Sequence, residues 1–111
     1  MISTNGFMSG VLTLKCEDTL SIGEVVKLSG NNTVSSCNTN DGFCGVVSHV
    51  QGNICAVQLH GTVTVPYSGT APSVGYTSLS SDGKKGVSIG DGREYLVLSV
   101  NETASTVTFI L

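Results

Sequence analysis

The chain has 111 residues, of which 40% are hydrophobic and 12% charged, with 14 glycines and a formal net charge of −3. A chain of this length forms one domain with a single modest core, and five Lys plus Arg residues give no basic footprint for nucleic acid. No apolar run is long enough to cross a membrane as a helix, no signal-peptide pattern opens the chain, and no segment carries an i, i+3, i+4, i+7 stripe. The expectation is an all-β domain made in the cytoplasm.

Residues 1–10 are polar, with Phe7 and Met8 as isolated apolar points. They read as an extended N-terminal arm, either a frayed terminus or a segment that docks on a neighbour. In the second case Phe7 and Met8 are the partner-binding residues. Residues 11–111 read as one β domain. A strand is expected at 11–16 with Leu12, Leu14 and Cys16 facing in, and a second at 20–28 with a bend or tight turn at Gly23. After a turn at Gly30-Asn31-Asn32 comes a short strand at 33–36, then a polar loop through Asn40 and Asp41.

The strongest pattern runs from Phe43 to Pro66. Cys55, Val57, Leu59, Val63 and Val65 alternate with Gln58, His60, Thr62 and Thr64, which is the period of a half-buried strand. Gly61 keeps the parity without a side chain and marks a kink or a close backbone approach. Upstream, Cys44, Val46, Ser48 and Val50 form a mostly apolar face. Gly52-Asn53 suits a two-residue type II′ turn, which pairs Gln51 with Ile54 and Ser48 with Val57, so that the two apolar faces coincide.

Beyond Pro66, a loop carrying Tyr67 and Pro72 leads to a strand at 75–79. Asp82-Gly83 and Asp91-Gly92 are turn signals with a strand at 86–89 between them. Residues 94–100 are apolar on both faces, as in a central strand. Residues 104–111 close the sheet with Val107, Phe109 and Leu111 on one face. Nine or ten short antiparallel strands at this spacing indicate a small β-barrel, a β-tulip or a sandwich.

The four cysteines, Cys16, Cys37, Cys44 and Cys55, include no CxxC pair. In the expected hairpin, Cys44 and Cys55 share a face but stand roughly 20 Å apart, beyond the reach of a disulfide. His49 and His60 are separated by roughly 13 Å on the other face, too far to share a metal. Cys16 and Cys37 both flank loops and could pair. The reading taken is of buried free thiols acting as small hydrophobes, with no metal and no cofactor. No GxSxG, HExxH or phosphate-cradling glycine loop is present. A carboxylate–histidine pair such as Asp41 with His60 could meet only in the folded chain.

The order of these features resembles a family of small phage and prophage proteins, the DUF2190-like capsid decoration or head-stabilising proteins. The resemblance rests on Gly23-Glu-Val-Val-Lys-Leu28, Gly42-Phe-Cys-Gly45-Val46-Val47 and Val57-Gln-Leu-His-Gly61-Thr-Val63-Thr-Val65. Gly75-Tyr76, Asp82-Gly83 and the terminal strands around Val97, Val100, Val107 and Phe109 extend it. The cysteine content and the polar loop before Gly42 depart from the family pattern. The resemblance implies a β-barrel or β-tulip subunit, a homotrimer on the outside of an icosahedral head, with the major capsid protein as partner and no catalytic residues. The expectation is therefore a non-enzymatic virion protein with no nucleic-acid or membrane partner. Two rivals stand beside it. One is a fibre-type module that recognises a cell-surface glycan through Tyr67 and Tyr76. The other is an enzyme whose site forms between subunits around His49 and His60.

Overall fold

The computed structural model describes residues 10–17 and 19–111. Residues 1–9 of the N-terminal arm, with Phe7 and Met8, therefore lie outside the described residues, and Gly10, the last residue assigned to the arm, instead opens the first strand. Nine strands and no helix are found among those described: β1 (Gly10–Cys16), β2 (Val25–Gly30), β3 (Thr33–Ser36), β4 (Gly45–Gln51), β5 (Ile54–His60), β6 (Thr62–Pro66), β7 (Gly75–Ser81), β8 (Val87–Asn101) and β9 (Thr106–Ile110). The first five close into a barrel in the order β1-β3-β2-β4-β5, and the rest form a sheet in the order β6-β9-β8-β7. The all-β expectation holds, with one departure from antiparallel pairing. β1 and β3 run parallel, with Lys15 opposite Thr33 and Cys16 opposite Val34.

Two cores organise the molecule. Leu14, Leu20, Val26, Val34, Val47, Cys55 and Val57 fill the barrel. Val25, Phe43 and Val46, on the outside of the barrel, pack against Val63, Leu79, Tyr95, Val97, Val107 and Phe109 of the sheet. β2 and β4 lie between these cores and bury side chains on both faces. This is why the sequence carries the doublets Val25-Val26 and Val46-Val47. Phe43, Tyr95 and Phe109 form an aromatic cluster, with Phe43 stacked on Tyr95 at 5.1 Å and Tyr95 tilted against Phe109 at 5.1 Å.

The central hairpin forms with the expected turn. Gln51 faces Ile54, and φ is +63° at Gly52 and not positive at Asn53, as a type II′ turn requires. Further along, the register differs. A bulge between Val47 and His49 places Val47, not Ser48, opposite Val57. Ser48 is exposed, and its hydroxyl donates to the Ala56 carbonyl at 3.1 Å. The bulge changes parity so that Val50 and Val47, three positions apart, both face the barrel core. Cys44, expected on the apolar face, is exposed.

The single strand expected across residues 54–66 is two strands in two sheets. Gly61, at φ +93°, turns the chain out of the barrel and into the second sheet. That backbone region is open to glycine and costly for a residue with a Cβ. The odd positions keep their apolar role through the break but serve different cores. Cys55 and Val57 enter the barrel, whereas Val63 and Val65 enter the barrel–sheet interface.

Three further expectations are corrected. The strand expected at 20–28 starts only at Val25, because Gly23 makes the tight turn, one of its two expected roles. Leu12 is 50% exposed instead of facing in, next to a register shift of β1 between Gly10 and Val11. Asp91-Gly92 does not separate two strands. β8 runs unbroken, with Ile89 opposite Leu79 and Glu94 opposite Ser78, so residues 90–93 bulge from it. A Cβ on Gly92 would collide with the Leu79 carbonyl. Asp82-Gly83 is a turn as expected, and the Asp82 carboxylate accepts from the Lys84 and Gly86 amides at 2.7 and 3.0 Å. β9 lies inside the sheet, between β6 and β8.

Candidate interaction surface

The residues singled out for chemistry do not converge. His49 lies opposite Ala56 and His60 opposite Gly10, and both are exposed. Asp41 engages Lys27 instead of His60, with the Lys27 ammonium donating to its carboxylate at 2.7 Å and the Asn38 amide at 2.9 Å. The hydrogen bond from Lys27 holds the Asp41 carboxyl below the usual carboxylate range. Among the described residues, no three His, Cys, Asp or Glu side chains are grouped to hold a metal.

All four cysteines are free thiols. Cys16 and Cys37 belong to different cores, so the pairing left open for them does not form. Burial, followed by a hydrogen bond with Cys16, pushes the Cys55 thiol up to about 12. Burial, followed by the nearby Asp41 charge, pushes Cys37 up to about 11. Such thiols resist deprotonation and are inert at neutral pH.

The surface offers two features instead. Across the outer face of the second sheet, Tyr76, Leu96 and Ile110 stand in one register row that ends at the buried Thr62. Tyr76 is 73% exposed, on the edge strand β7, whereas Tyr67 is half-buried against the core. Beside this row, the Thr64 and Thr108 hydroxyls hydrogen-bond each other at 2.8 Å.

The second feature is the edge of β6. Leu111 donates its amide to the Gly61 carbonyl at 2.9 Å, and Tyr67 donates to the Ser105 carbonyl at 3.0 Å. With Thr62 opposite Ile110, this pattern makes Val63 and Val65 the residues that exchange backbone hydrogen bonds with β9. The amides and carbonyls of Thr62 and Thr64 therefore point away from β9. Pro66, which has no amide hydrogen, falls on the same outward-pointing side, where the ladder does not need one. The Thr62 carbonyl accepts from Gln58 Nε2 at 3.1 Å. On that side Val87, the first residue of β8, bridges Tyr67 in parallel just past Pro66, so among the described residues the edge lacks a strand neighbour only along Thr62–Thr64. The edge borders an open groove of about 430 Å³, walled by residues 22–23 and 46–48 opposite Gln58 and residues 62–64. Among the described residues, no charged side chain lines it.

Sequence reasoning missed this groove. Its signal was Pro66 at an even position, which marks β6 as an edge strand. Ile22, Gly23 and Ser48 carry no comparable mark, since only the fold brings them alongside.

No family model and no curated protein matches this chain. Among solved structures, it is similar to the N base of the head fiber protein gp8.5 of bacteriophage phi29. That match has a TM-score of 0.62 at 15% sequence identity and covers 94% of each chain.

Proposed function

We propose that this protein is a structural component of a phage virion, a decoration protein that binds the outer surface of the assembled head and stabilises it. The observation that carries this reading is the shared fold with the head fiber base, over nearly the whole of both chains. The surface is consistent with it. A low-charge exterior rich in Ser and Thr offers hydrogen bonds to a partner without the desolvation cost of charges. The reading is non-enzymatic and has the major capsid protein as partner. The subunit associates as a homotrimer, and Phe7 and Met8 of the arm are partner contacts.

A decoration protein recognises an epitope that spans neighbouring capsid subunits, so its site exists only after assembly. Each contact can be weak, because a trimer meeting three equivalent sites gains through effective concentration. The test is to sediment the protein with undecorated heads and, separately, with free capsid subunits. Binding to heads alone is expected, and equal binding to both overturns the lattice-specific reading.

A second reading, a fibre-type module that recognises a cell-surface glycan, draws on the same solved relative, which is the base of a fiber. Tyr76 is the aromatic exposed for it. A glycan array separates the two readings, since saturable binding lost in Tyr76→Ala would favour the module.

A further inference from the structure

We propose that the open edge of β6 is an assembly site that receives residues 1–9 of a second copy of this chain as an added strand. This rests on the self-association proposed above, and it makes the partner that Phe7 and Met8 touch a second copy of this chain.

Four observations point to this occupant. First, the edge is a template. Thr62 and Thr64 direct backbone amides away from β9, and no described strand takes them up. Unpaired strand edges bind extended peptide through main-chain hydrogen bonds. Second, the groove along this edge has no charged lining residue among those described. Residues 1–9, MISTNGFMS, have no charged side chain and carry Ile2, Phe7 and Met8 as apolar groups. An uncharged segment enters such a groove without leaving a buried charge unpaired.

Third, the chain emerges in the right place. Gly10 is paired with His60, two residues from Thr62, so in every copy the first described residue of β1 lies next to the end of β6. Nine residues reach up to about 30 Å when extended, and the described molecule measures 34 × 31 × 22 Å. The arm can therefore span from one subunit to an adjacent one. Fourth, Gly10 lies on the β1 side of β5, whereas the groove is walled by β4 residues. To reach its own groove the arm would have to cross over the β5–β6 junction. Head-to-tail exchange of arms between equivalent copies gives a ring when the rotation between copies closes.

The test uses the full chain. Thr64→Pro removes the outward amide hydrogen at a position where an edge strand tolerates proline, and Thr64→Val keeps it. Masses are compared by light scattering over a dilution series, with circular dichroism to check that both variants fold. Wild type and Thr64→Val should be oligomeric. Thr64→Pro should dissociate at a concentration at least about tenfold higher, as expected for one lost hydrogen bond per contact. In parallel, a photo-crosslinking residue is placed at Asn5 in oligomers mixed from ¹⁴N and ¹⁵N chains. The crosslinks should reach residues 46–48 or 62–64 and should include mixed-isotope products. A monomeric wild type overturns the self-association reading along with this one. An oligomeric wild type with equal masses for Thr64→Pro and Thr64→Val overturns only the arm exchange, as do crosslinks confined to one isotope.

Discussion

The side-chain amide of Gln58 donates to both the His60 carbonyl at 3.0 Å and the Thr62 carbonyl at 3.1 Å. Gln58 and Thr62 belong to different sheets, so one side chain bridges the break where the chain leaves the barrel. Replacing Gln58 with Leu removes both hydrogen bonds and should cost about 1–2 kcal/mol of stability. Urea unfolding checks this, with Gln58→Glu as comparison because it cannot donate from that position. An unchanged midpoint in both variants would show that the bridge contributes nothing.

Gly61 makes the same junction possible through its backbone. With φ at +93°, Gly61→Ala should destabilise by at least about 1 kcal/mol. Gly52→Val should also destabilise, since the type II′ turn holds Gly52 at +63°. Gly52→Asn should be milder, because Asn tolerates positive φ better than a β-branched residue does. Thermal midpoints in the order wild type, Gly52→Asn, Gly52→Val check the turn assignment.

Phe109 is fully buried and touches both other rings of the aromatic cluster. Phe109→Ala should cost about 3–5 kcal/mol, a large share of the stability of a domain this size. Phe109→Leu should keep most of the fold. The measurement is equilibrium unfolding of all three proteins. A loss below about 1 kcal/mol for the alanine variant would mean that the barrel–sheet interface is not a packed core.

The thiols should separate by reactivity. Cys44 is exposed and Cys37 and Cys55 are buried, so a disulfide reagent at pH 7 should label Cys44 first and reach Cys37 and Cys55 only at the rate of opening. The folded state holds the Cys37 and Cys55 protons more tightly than the unfolded chain, where both thiols lie near 9.0. Their contribution to stability is therefore fully present below pH 9 and declines as pH rises towards 11 and 12. The alkaline fall in thermal midpoint should be shallower in Cys55→Val than in wild type. Parallel curves would contradict this linkage.

Residue order alone carried the strand content, the type II′ turn at Gly52-Asn53, the inward parity of Cys55, Val57, Val63 and Val65, and the placement of the last strand within a sheet. These are local matters. Side-chain alternation and turn chemistry depend on neighbours within a few positions, which a sequence displays directly. Whether a strand stays in one sheet is a different question. Gly61 could be read as a kink, but only packing decides that Val57 and Val63 fill separate cores. The bulge at Ser48 and the absorption of Asp91-Gly92 into β8 follow from contacts between residues far apart in the chain. The groove beside β6 arises in the same way. Residues 22–23 and 46–48 meet residues 62–64 only because β4 and the start of β6 converge where the barrel meets the sheet. That convergence is a property of closure and of two shared cores, and no local pattern encodes it.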